Sequence, residues 1–137
     1  MTGLLVCAGV LAAASAFGLW QRRSGGRLKV RGRDTARRIG AAELGAELGE
    51  RATLVQFSSA FCQPCRATRR TLADVASMVD GVAHVEIDAE ERLALVRELG
   101  ILKTPTVLIL DAGGRIVTRA AGQPRKADVI AALGQAV

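Results

Sequence analysis

The sequence is poor in aromatic residues: it has no tyrosine, one tryptophan (Trp20) and three phenylalanines, Phe17, Phe57 and Phe61. Any core must therefore be filled mostly by Ala, Leu and Val. Base-stacking surfaces for nucleic acid, which rely on aromatic side chains, have little to build on. Cysteine and histidine are equally scarce, with Cys7, Cys62, Cys65 and a single His84. A closed zinc site needs four ligands, usually two cysteine pairs, so this chain offers no such site within one protomer. No glycine-rich nucleotide fingerprint occurs, and Gly113-Gly114 reads as a turn. Internal repeats are absent, and the only biased segment is an Ala-rich stretch near the N-terminus.

What is present suits one domain with an appendage: 137 residues, half of them hydrophobic and 23% charged. The net charge of +6 is confined to one place. Between residues 21 and 38 there are eight basic side chains (Arg22, Arg23, Arg27, Lys29, Arg31, Arg33, Arg37, Arg38) against Asp34 alone, while residues 39–137 are nearly balanced. With no aromatic pattern beside it, this segment argues against nucleic-acid recognition.

Its position suggests another cause. Residues 3–20, "GLLVCAGVLAAASAFGLW", carry no charge. Eighteen residues at about 1.5 Å each give about 27 Å of helix, close to the thickness of a hydrocarbon core. Trp20 falls at the interface, and Cys7 reads as a small apolar residue within the span. A cleavable signal lacks its leading basic residues here, although "ASA" at 14–16 resembles a cleavage site; a buried core helix is the third reading. A single transmembrane anchor fits best. Positive charge stays on the cytoplasmic side, so residues 21–137 are expected in the cytoplasm, with the basic segment near anionic headgroups. The expected organisation is an anchor over 1–20, a basic juxtamembrane linker over 21–38 and a domain over 39–137.

Within the linker, "RLKV" has the makings of an edge strand. The pattern then predicts a short helix over 41–48, a buried strand over 53–57 and a helix from Cys65 with Leu72, Val75, Ala76 and Val79 on one face, stopped by Gly81. A strand over 82–87 follows, then a helix over 89–99 with Gly100 at its stop. Strands at 106–110 and 115–120 flank the turn Asp111-Ala112-Gly113-Gly114, and a last helix closes the chain.

The stretch "FSSAFCQPCR" at 57–66 thus follows a buried strand and opens a helix within a βαβ unit, the context expected of a redox Cys-x-x-Cys pair. Only the thiolate attacks a disulfide, and the partial positive charge of a helix N-terminus favours it. Cys62 is the candidate nucleophile and Cys65, one turn on, the candidate resolving thiol. Pro64 in the first turn costs no hydrogen bond. Half of a metal site shared between protomers and an inert pair are the competing readings.

The residues "LVQFSSAFCQPCR", "EID" at 86–88, "GILKTPTVLIL" at 100–110, the "GG" hairpin and Gly122 resemble the thioredoxin family, over most of residues 39–137. The resemblance implies an α/β thioredoxin-like fold, a central mixed sheet flanked by helices, preceded here by one transmembrane helix. It implies that Pro105, after Thr104, is cis and opposite the cysteine pair, that Thr104 pairs with the substrate backbone, and that Pro105, Phe61 and Gly122 also bind substrate. It further implies a thiol–disulfide oxidoreductase acting on protein disulfides and fed by a reductase or dithiol donor. The only redox group would be the Cys62–Cys65 disulfide, and the chain is expected to be a monomer. Disulfide formation or cytochrome maturation outside the membrane, and a binding module with little catalysis, are the rivals.

Five positions depart from the family pattern. Phe61 stands where Trp is usual, and Gln63-Pro64 replaces Gly-Pro. Gln56 replaces a buried Asp and cannot take a proton, so a general base for Cys65 is missing. His84 aligns with a lysine beside that acid; it reads either as a surface strand histidine or as a titratable group near the buried thiol. Arg70 replaces a helix-kinking proline.

Overall fold

A computed structural model describes residues 1–25, 28–29 and 36–137; Arg27, Arg31, Arg33 and Asp34 of the basic segment lie outside the described residues. Helix α1 (Thr2–Ser24) is one continuous apolar rod with Arg22 and Arg23 in its last turn, where cations complement the helix dipole. Its side chains are almost all exposed. By length and composition alone it is a candidate membrane span, Thr2–Arg23, although a signal sequence passes the same test. The rings of Phe17 and Trp20 lie 6.0 Å apart on its surface.

The remaining elements are β1 (Leu28–Lys29), α2 (Ala41–Leu44), β2 (Ala52–Ser58), α3 (Gln63–Met78), β3 (Val82–Asp88), α4 (Leu93–Glu98), β4 (Thr106–Asp111), β5 (Ile116–Ala121) and α5 (Lys126–Ala136). They form a five-stranded mixed sheet in the order β1-β5-β4-β2-β3. Strand β2 runs parallel to β3 and antiparallel to β4; β5 is antiparallel to both β4 and β1. This is the thioredoxin-like α/β arrangement that the resemblance implies. Strand β1 lies inside the segment read as a linker and pairs Leu28 with Ala120.

Strand alternation separates two apolar layers. Ala52, Leu54, Val107 and Ile109 face α3 and α5, meeting Leu72, Val75, Val129 and Leu133. Val55, Phe57, Leu108 and Leu110 face the other way, onto Leu44, Leu95 and Leu99. The central strands are thus buried on both faces and read as largely apolar runs, with Gln56 a polar exception at the end of β2 nearest the cysteines.

Three helices are shorter than periodicity suggests. Helix α2 stops at Leu44 instead of 48, because Gly45 adopts φ 71° and turns the chain away. Helix α4 begins at Leu93 instead of 89, since Asp88 diverts the preceding turn: its side chain accepts from Glu90 N at 2.9 Å and its carbonyl from Glu91 N. Helix α3 ends at Met78, where Val79 is already extended, and Gly81 (φ 80°) shapes the later turn into β3. The hairpin at 111–114 forms as expected. Asp111 Oδ1 accepts from Gly113 N and Arg115 N, and a side chain on Gly114 (φ 82°) would sit 2.3 Å from Ile39 O.

Candidate active site

The site forms where β2 ends and α3 begins. Phe57 points into the core, the chain leaves the sheet after Ser58, and Cys62 becomes the N-cap of α3. Cys62 Sγ accepts from Cys65 N at 3.2 Å, so the backbone that would favour its thiolate is already aimed at it. Cys62 and Cys65 are joined as a disulfide with Cα atoms 5.2 Å apart. Cys65 is buried, at 2% exposure. An external thiol or disulfide can therefore approach Cys62 more readily than its partner. Pro64 sits in the first turn, where its carbonyl accepts from Thr68 Oγ1 at 2.8 Å.

Phe61 is wholly exposed and adopts φ 57°, a left-handed conformation uncommon for an aromatic residue. Its ring is carried outward beside Cys62 and contributes nothing to the core. The Thr104–Pro105 peptide is cis. The loop that carries it is tied to the cysteine loop by Ser59 Oγ and Thr104 Oγ1, 2.6 Å apart. Gly122 (φ 103°) donates its N–H to Pro105 O at 2.8 Å, so the end of β5 braces the same loop.

Beneath the pair lies Gln56, fully buried on the α3 side of β2. Its Nε2 is 2.8 Å from Cys65 O and 2.9 Å from Ser58 Oγ. Its Oε1 is 3.2 Å from His84 Nε2. His84 is thus half-buried and bonded to the residue under the thiols. Ser58 and Ser59 are additional partners that sequence reasoning missed. They are unremarkable in composition, and only the register of the strands and loops shows their contacts. Among the described residues no cluster of metal-binding side chains occurs, and no buried polar side-chain atom lacks a partner.

Burial lowers the pKa of His84 from its usual 6.5; Glu86 opposes that shift and Arg69 adds to it. Folding therefore favours the neutral ring, while the unfolded chain takes up a proton near the ordinary value. Stability should be full above pH 6.5 and decline as the pH falls through that value toward the lower folded-state pKa. Urea midpoints compared at about pH 7.5 and about pH 5 should show this decline, and His84→Gln should lessen it.

Residues 41–137 match the family model of a thioredoxin-like domain. Thioredoxin of Alicyclobacillus acidocaldarius subsp. acidocaldarius is 35% identical over 80 residues, which are 57% of this chain and 75% of that one. Human thioredoxin domain-containing protein 2 is 37% identical over 60 residues, or 44% of this chain, but the match spans only 11% of that protein's length. Among solved structures, chloroplastic thioredoxin z is similar with a TM-score of 0.56 and 30% identity, over 63% of this chain and 78% of that one.

Proposed function

The chain belongs to the thioredoxin family, and from that premise we propose that it reduces protein disulfides by dithiol exchange through Cys62 and Cys65. The observation that carries this reading is the asymmetry of the pair. Cys62 caps α3 with a backbone N–H directed at its sulfur, while Cys65 is buried one turn on.

In the reduced protein, Cys62 thiolate attacks one sulfur of a substrate disulfide and expels the other as a thiolate. Cys65 thiolate then attacks Cys62 Sγ, closing the intramolecular disulfide and releasing the second substrate thiolate. Two electrons pass to the substrate, and the protons lost by the two cysteines balance those taken up by the products. An upstream reductase or dithiol donor restores the dithiol by the same exchange in reverse. The disulfide itself is the redox group, and the reading needs no organic cofactor or metal. Thr104, Pro105, Phe61 and Gly122 form the rim that meets the substrate chain, and the protein acts as a monomer without nucleic acid.

In this reading α1 is a single-pass membrane anchor with the domain on the cytoplasmic side, supported by the cations that follow the apolar run. With an insulin-type disulfide substrate, the wild-type chain should turn over and Cys62→Ser should fall to the uncatalysed background. Equal rates in both would end the enzyme reading. In intact cells an impermeant thiol reagent should reach Cys62 only after the membrane is permeabilised. Labelling before permeabilisation would put the domain outside, in oxidative or maturation chemistry.

A further inference from the structure

The orientation of Gln56 is fixed by its partners. Cys65 O, 2.8 Å from the side-chain nitrogen, is a carbonyl and only accepts. The group facing it must be the amide N–H, since the flipped amide would set two acceptors against each other. The same NH2 group donates to Ser58 Oγ, so Oε1 alone faces His84. An amide oxygen also only accepts, so His84 Nε2 must carry a proton. In the neutral ring the lone pair then sits on Nδ1, away from Gln56. The nitrogen able to take up a proton is not the one that faces Gln56.

We propose that His84 is a positioning residue for dithiol exchange, holding the Gln56 amide in one orientation against the Cys65 carbonyl through a neutral hydrogen-bond chain. It rests on the exchange reading above and differs from a base catalyst, which would need a proton path to Cys65. A side-chain amide provides none. The groups that face His84 fit this role: Gln56 from β2, Glu86 from its own strand, and Arg69 from α3. Arg69 and Glu86 pair through two contacts of 2.5 and 2.7 Å, so their charges offset each other at the edge of the network. Burial favours the neutral form of the ring. Without the His84 donor, the buried Oε1 loses its partner and the amide is free to turn from Cys65.

His84 is the only histidine in the chain, so one imidazole spin system reports on it. In the full-length 15N-labelled protein in detergent micelles, the neutral ring should be the Nε2–H tautomer in both redox states. An Nδ1–H tautomer would overturn the proposal. Release of a mixed disulfide formed at Cys62 supplies the second readout. His84→Leu, which lacks a donor, should slow this step about tenfold, whereas His84→Gln, which keeps an N–H, should stay within about threefold of wild type. The pH profile of His84→Gln should match that of wild type. Equal losses in both variants, a pH step that both lack, or no loss in either would each overturn the positioning role. If wild-type protein exchanges no disulfide at all, the exchange reading fails, and the tautomer still decides the network.

Discussion

Replacing Cys65 by serine should turn the protein from a catalyst into a trap. Cys62 keeps its place at the head of α3 and its backbone donor, so attack on a substrate disulfide proceeds. The second step fails, because a serine hydroxyl does not attack a disulfide. Resolution then depends on an external thiol instead of one held a helical turn away, and turnover should fall about a thousandfold or more. Mixed disulfides between Cys62 and substrate proteins should accumulate on non-reducing gels and vanish with dithiothreitol. A variant that forms no adducts while its Cys62 remains a free thiol would contradict the proposed roles of the pair.

Phe57→Ala should be the most destabilising single truncation in the domain. Phe57 has no exposed surface and packs with Val55, Ile87, Leu108 and Leu110 on the α4 side of the sheet. Of the four aromatic residues in the chain it is the only one in this core. Phe17 and Trp20 lie on α1, and Phe61 is fully exposed. Removing a buried phenylalanine costs about 3–5 kcal/mol. A domain of this size has roughly 5–15 kcal/mol in total. The denaturant midpoint should drop sharply with little change in slope. Phe61→Ala, four residues along, should leave the midpoint nearly unchanged and report instead on substrate contact. A Phe57→Ala midpoint equal to that of wild type would contradict the packing described.

The difference between those two phenylalanines marks how far the sequence could be read. The buried strands were legible because β2 and β4 are compact apolar runs bounded by polar turns, and α3 because its apolar face repeats at helical spacing. The limits of the short helices were not. Gly45 and the Asp88 turn act through backbone conformation and local side-chain bonds, which periodicity does not weigh. At the site, the cysteine pair and Pro105 stand out as motifs. The family resemblance aligned His84 with a lysine beside position 56, and the two side chains lie 3.2 Å apart. The bonds from Gln56 to Ser58 and to the Cys65 carbonyl, and from Ser59 to Thr104, depend on strand register and on a loop closing over the sheet. Neither is encoded in spacing.

The two residues of β1 have a larger effect than their length suggests. Only residues 25–27 separate the end of α1 from Leu28, which is already paired to β5. Such a connection reaches about 14 Å at most. With α1 in a bilayer, the domain would ride low on the surface, and its encounters would be with neighbours diffusing in the same plane. A protein so leashed would gain a high local concentration toward cysteines just above the membrane and would give up those held farther away. Selection of partners by height would then add to selection by shape.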